Sequence, residues 1–193
     1  MTARASDTVC PGCGAPAELS AKTCEFCGRP VLITTFSSIR DWTGADVTKY
    51  VTAYSSVLEE DPIPNVKLAL AICLIKLGQH PRALVQIEDA IAGHVDNPEA
   101  YFYSAIARLG GKRPALGDMY VLREALNDLE AAKALEPRGA FYYLSALIRS
   151  DFFERKRIRQ LPLSVEEFER AASVGVSQED IRFLHEVAQL PPS

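Results

Sequence analysis

Four of the five cysteines in this chain of 193 residues lie near its N-terminus, in two pairs of identical spacing. The segments CPGCG at residues 10–14 and CEFCG at residues 24–28 each place two thiols on one tight turn. Two such turns complete a tetrahedral shell of four sulfurs, the geometry that Zn²⁺ accepts most readily. The spacing therefore predicts one zinc ion with the ligands Cys10, Cys13, Cys24 and Cys27.

The predicted ion is structural, because protein sulfurs fill all four positions and no coordination site is left for a substrate. A fragment of this size has almost no core, and metal binding contributes about 10–16 kcal/mol to the folding of comparable peptides. The cysteine pattern resembles the zinc-ribbon family. Iron in a rubredoxin-like site is the alternative for the metal. A redox Cys-x-x-Cys would need a βαβ setting, and disulfides would need an oxidising compartment.

The remainder of the chain has a different pattern. Residues 1–9 are predicted to be disordered, and residues 10–36 to form the ribbon, which includes a β-like run at residues 31–36. Residues 37–193 show helical periodicity and helix caps without an alternating strand pattern. We predict helices that begin at a Thr43 cap, run over 65–77, 81–92, 98–109, 118–135 and 140–159, and begin at caps on Ser164 and Ser177.

Internal repetition organises these helices. One period of 34 residues runs from Pro64 to Asn97, and Pro98 begins the next. Small residues recur where paired helices must approach closely: Ala71, Ala83, Ala90, Ala105, Ala125, Ala132 and Ala146. This pattern resembles the tetratricopeptide repeat (TPR) over about residues 64–175. The resemblance implies a mostly α fold, a right-handed TPR-like solenoid of about three helix pairs with a capping helix at each end. Lys67 departs from it, because an aromatic residue is expected there.

The resemblance also implies a binding surface. In this family the first helix of each pair lines a concave groove, which here would present apolar side chains rather than a carboxylate clamp. We therefore expect a protein or peptide partner with an apolar or amphipathic segment, or else self-association or occlusion by the chain itself. The predicted groove residues are Leu68, Ile72, Ile75, Phe102, Ile106, Leu109, Tyr143 and Leu147.

Charge argues against nucleic acid as the partner. The net charge of the chain is −4, and residues 1–36 contain three basic and three acidic side chains. Because binding to phosphates depends on contacts from basic side chains, the ribbon has few groups for this role. A nucleic-acid-binding regulator that uses the ribbon and the basic cluster at residues 155–159 remains the alternative function.

Catalysis is not indicated either. His80, His94 and His185 are scattered, and the Gly110-Gly111-Lys112 segment lacks the strand and the hydroxyl residue of a phosphate loop. The polar N-terminus does not resemble a secretory signal, and no apolar run is long enough to span a bilayer. The sequence thus predicts a non-enzymatic, cytoplasmic interaction adaptor.

Overall fold

The computed structural model describes residues 9–191. The predicted disordered segment, residues 1–9, lies outside this range except for Val9, which forms an antiparallel bridge with Pro16. The described residues fall into two compact units that divide after Gly93. Their α-helices are α1 (Gly44–Glu60), α2 (Pro64–Lys76), α3 (His80–Gly93), α4 (Pro98–Leu109), α5 (Met119–Leu135), α6 (Gly139–Ile148), α7 (Ser164–Val174) and α8 (Gln178–Val187).

Side-chain caps determine where several of these helices begin. The Thr43 hydroxyl accepts a hydrogen bond from the Asp46 N–H at the start of α1. Asn97 caps α4 in the same way, and Pro98 occupies the first turn, where its missing N–H has no cost. The Asp118 carboxylate caps α5, and Ser177 caps α8. Thr43 and Ser177 are the caps that the sequence predicts for α1 and α8.

The first unit contains the ribbon and helices α1 to α3. Helix α2 packs along α3 as a helix pair, and α1 packs against α2. Lys67, the departure from the repeat pattern, forms an ion pair with Asp89 across this pair at 3.2 Å. Cys73 is fully buried in α2, and burial raises the pKa of its thiol to about 12. It is a small core residue.

The second unit contains two more helix pairs. Helix α4 packs along α5, α6 packs along α7, and α8 packs against α6. The seven small residues of the predicted repeat register are buried in the two units. The described chain thus contains three helix pairs, with α1 before the first pair and α8 after the last pair in chain order. This arrangement confirms the predicted mostly α, TPR-like architecture.

Three local predictions are wrong. The run at 31–36 forms no strand in the described chain; instead the Ile33 N–H and the Val31 carbonyl bond to the Tyr54 hydroxyl. Helix α6 continues only as a π-helical segment, Arg149–Glu154. The N-cap of α7 is Leu163 rather than Ser164.

The cap of α7 depends on a distant carboxylate. Glu154, ten residues upstream, accepts hydrogen bonds from both the N–H and the hydroxyl of Ser164. The Leu163 N–H donates to the Glu166 carboxylate at 3.0 Å. Ser164 is therefore bonded to Glu154 as the first residue of α7, and no side-chain hydrogen bond from Ser164 caps the helix.

Candidate metal centre and candidate binding surfaces

The two cysteine turns have the same backbone geometry. The Gly14 N–H donates to the carbonyl of Cys10, and the Gly28 N–H donates to the carbonyl of Cys24, each at 2.8 Å. Both glycines have positive φ, at 77° and 68°, a conformation that a residue with a Cβ adopts only at a cost. The glycine after each second cysteine therefore closes the turn that brings the paired sulfurs together.

The four cysteine sulfurs lie close enough together to bind one metal ion. All four Sγ atoms are within 4.8 Å of one another, and the Cys10–Cys27 and Cys13–Cys24 Sγ pairs are each 3.7 Å apart. A tetrahedral Zn–S distance of about 2.3 Å requires sulfurs about 3.8 Å apart, whereas a disulfide requires about 2.05 Å. The four predicted ligands therefore fit one tetrahedral metal ion.

The surroundings of the sulfurs affect their ionisation in opposite ways. Burial raises the pKa of the Cys10 thiol to about 12. The backbone N–H groups of Cys27 and Phe26 lower the pKa of Cys24 to about 7, because they stabilise its thiolate. A cation is what would allow all four thiolates to coexist, since only the deprotonated sulfur is a metal ligand.

The ribbon has little apolar core of its own. Cys10 and Cys24 are buried together with Val31, while Cys13 and Cys27 are exposed. The side chains that pack around this cluster are small or half-buried: Ala17, Leu19 and Ala21. Burial of so little apolar area cannot hold such a fragment folded without a further contribution.

Hydrogen bonds from two fully buried tyrosines of α1 contribute to holding the ribbon folded. The Tyr50 hydroxyl donates to the Pro30 carbonyl at 2.9 Å. The Tyr54 hydroxyl donates to the Val31 carbonyl and accepts from the Ile33 N–H, each at 2.9 Å. Burial raises the pKa of both hydroxyls, so both remain protonated donors. The ribbon is therefore bonded directly to the first helix.

A charged side chain of the second cysteine turn strengthens this junction. Arg29 forms an ion pair with Asp46 of α1 at 2.9 Å, and its guanidinium lies 5.0 Å from the centre of the Trp42 ring. Trp42 in turn packs on Tyr50, with ring centroids 4.8 Å apart. Hydrogen bonding to Asp46 raises the pKa of Arg29. Sequence reasoning missed this junction, because its contacts join segments that no motif links.

The predicted groove residues lie mostly in the interior. Leu68, Ile72, Ile75, Phe102, Ile106, Leu109 and Leu147 are each at most 6% exposed. Tyr143 is half-buried, packs on Phe168 of α7, and bonds through its hydroxyl to His185 of α8. These side chains support the helix pairs, and Tyr143 is covered by the chain's own helices. His185 also contacts the Pro191 carbonyl through Nδ1, so both ring nitrogens have a hydrogen-bond partner within the chain.

A cleft that the sequence did not indicate lies between α5, α6 and α7. It has a volume of about 810 Å³ and contains the buried ion pair of Lys133 with Glu167, at 3.0 Å. Lys133 also pairs with Glu130 and lies 5.0 Å from the centre of the Tyr142 ring. The ammonium group is thus satisfied within the protein, and the pair ties α5 to α7.

No family model matches the chain, and no curated protein matches it. Among solved structures, the chain is similar to the crystal structure of a thermophilic TPR protein from Thermus thermophilus. The sequence identity is 22%, the TM-score is 0.56, and the match covers 75% of this chain and 74% of that one. This similarity confirms the TPR-like fold.

Proposed function

We propose that the chain is a non-enzymatic, cytoplasmic protein-interaction adaptor whose ribbon is held by one structural zinc ion. The observation that carries the proposal is the array of helix pairs in a TPR-like fold. Stacked helix pairs offer long surfaces and, in proteins of this kind, serve recognition more often than catalysis. No helix in the described part of the chain is long and apolar enough to cross a membrane.

The donor set supports zinc as the metal. Four thiolates in a tetrahedral arrangement suit Zn²⁺, and iron is the alternative with the same ligands. Because all four positions are sulfur, the ion has no open site and would act by folding the ribbon. When bound, it neutralises part of the charge of the thiolates, and Cys10 and Cys24 can then stay buried.

The ribbon contributes a second surface to the proposed adaptor. Phe26 projects from the second cysteine turn and is 74% exposed, although a large aromatic side chain gains free energy when it is buried. The turn itself is fixed through Arg29 to α1. The ribbon would therefore present Phe26 to a partner from a rigid position.

The predicted groove residues also belong to the proposal, although most of them are buried. We propose that the first helix of each pair supports a partner-binding face within its own unit, α2 in the first unit and α4 with α6 in the second. The eight predicted side chains would lie beneath these faces, most of them buried. The ligand would be an apolar or amphipathic segment of a protein, because the charged side chains of a carboxylate clamp are absent from those positions.

The experiment is capture of partners by the full chain, followed by reconstitution. A protein identified by capture and mass spectrometry is purified and mixed with the chain, and the mass of the complex is measured by light scattering. The proposal expects a complex of defined stoichiometry that survives moderate salt. If the chain instead forms salt-sensitive complexes with RNA or DNA alone, the alternative function replaces this one.

A further inference from the structure

Two loops of the second unit converge on one buried carboxylate. Asp151, 5% exposed, accepts hydrogen bonds from the Arg113 guanidinium at 2.6 to 3.0 Å and from the Ala115 N–H at 2.9 Å. Arg155 also pairs with it, at 3.3 Å. Asp151 therefore fastens the loop between α4 and α5 to the loop that follows the π-helical segment. We call residues 112–121 and 155–159 together the Asp151 platform.

The platform concentrates positive charge on a chain that is acidic overall. Lys112, Arg155, Lys156, Arg157 and Arg159 are all exposed. Within residues 9–191 neither Arg157 nor Arg159 has a carboxylate partner, and Lys156 lies 3.9 Å from the centre of the Phe152 ring. The buried charge of Asp151 offsets only part of this excess.

The part of the platform between α4 and α5 also exposes apolar side chains. Leu116 is 78% exposed, and it follows Ala115, whose N–H is bonded to Asp151. Met119 and Tyr120, at 40% and 72% exposed, continue the apolar surface into the first turn of α5. Several exposed large apolar residues in one short segment are typical of an interaction site.

We propose that the Asp151 platform binds an acidic, amphipathic segment of a partner protein. Carboxylates of the segment would pair with the cations at 155–159, and its apolar side chains would cover Leu116, Met119 and Tyr120. Charge complementarity favours this ligand, because a basic site on an acidic chain attracts anions. A nucleic acid backbone would match the cations and leave the aliphatic side chains exposed. The proposal rests on the proposed function, for which it names a surface and a partner chemistry.

The rigidity of the platform supports a binding role. Asp151 holds Arg113 and Ala115 by four hydrogen bonds, and Pro114 between them is buried. The loop is therefore ordered before a ligand arrives, so binding costs less conformational entropy than the ordering of a flexible loop would cost.

The test uses fluorescence anisotropy with the full, zinc-loaded chain. The probe is a labelled amphipathic peptide with glutamate on one helical face and leucine on the other. Two matched peptides replace glutamate by lysine or leucine by serine. We expect the first peptide to bind, and the matched peptides to bind at least about tenfold more weakly.

Two variants locate the binding. Leu116→Ser with Tyr120→Ser, and Arg155→Ser with Arg159→Ser, should each weaken binding of the acidic peptide at least about tenfold. The matched control is Lys22→Ser with Lys49→Ser, because both lysines are exposed in the first unit. Unchanged thermal unfolding of all three variants would show that the fold is intact.

Several results would overturn the proposal. If the peptide binds equally to every variant, or if the acidic peptide fails to bind at low salt, the platform is ruled out as its site. Binding of a labelled single-stranded RNA in place of the peptide would make nucleic acid the ligand. A dimer that the Leu116 and Tyr120 changes dissociate would make a second copy of the chain the occupant. If a reconstituted partner binds the platform variants as well as the original chain, this inference fails while the proposed function stands.

Discussion

Removal of the Tyr54 hydroxyl should measure how strongly the ribbon is held by the helices. Tyr54→Phe keeps the buried ring but leaves the Val31 carbonyl and the Ile33 N–H without their partner. Each buried backbone group that loses its partner costs about 1–3 kcal/mol, so for the two groups we expect a loss of about 2–6 kcal/mol. Tyr50→Phe removes one bond, to Pro30, and should cost about 1 kcal/mol.

The assay is urea unfolding followed by tryptophan fluorescence. Trp42 is the single tryptophan of the chain, and it packs on Tyr50 at the junction of ribbon and α1, so its emission reports on this region. Tyr120→Phe is the matched control, because that side chain is 72% exposed, and it should change stability by less than about 0.5 kcal/mol. If Tyr54→Phe behaves like this control, the ribbon is not anchored through the hydroxyl and the reasoning is refuted.

Two further predictions concern the helix pairs. Ala90 is buried and Ala92 is exposed on the same helix. Ala90→Leu should therefore lower the free energy of unfolding by about 1–3 kcal/mol through overpacking, whereas Ala92→Leu should have little effect. Equal effects of the two changes in thermal unfolding would mean that the repeat register is wrong. Glu167→Gln leaves the buried Lys133 ammonium with the half-exposed Glu130 as its remaining carboxylate partner, and should cost up to about 3–5 kcal/mol. Urea unfolding followed by circular dichroism measures this cost, and a loss below about 1 kcal/mol would show that Glu130 alone suffices.

The features that could be predicted from the sequence are those whose causes lie close together in the chain. The two Cys-x-x-Cys turns form their geometry within five residues each. Thr43 and Asn97 cap helices through N–H groups two or three residues away. The small residues of the repeat, such as Ala90, signal close helix contacts by their spacing alone. Spacing and local hydrogen bonding were enough for these features.

The features that could not be predicted depend on partners far away in the sequence. The bonds from Tyr54 to the ribbon cross more than twenty residues, and the Arg113–Asp151 pair crosses 38. The groove prediction assigned side chains such as Ile106 to a surface, whereas the structure buries them in the core. An apolar residue on the first helix of a pair can face either a partner or its own second helix, and periodicity does not distinguish the two.

The metal content of the purified chain tests the central claim most directly. Native mass spectrometry should find one zinc ion per chain, lost on chelation and absent from Cys24→Ser. Loss of the ion should also change the emission of Trp42, because the ribbon that packs beside it unfolds. A chain that carries no metal, yet shows the same Trp42 emission before and after treatment with a chelator, would contradict the account.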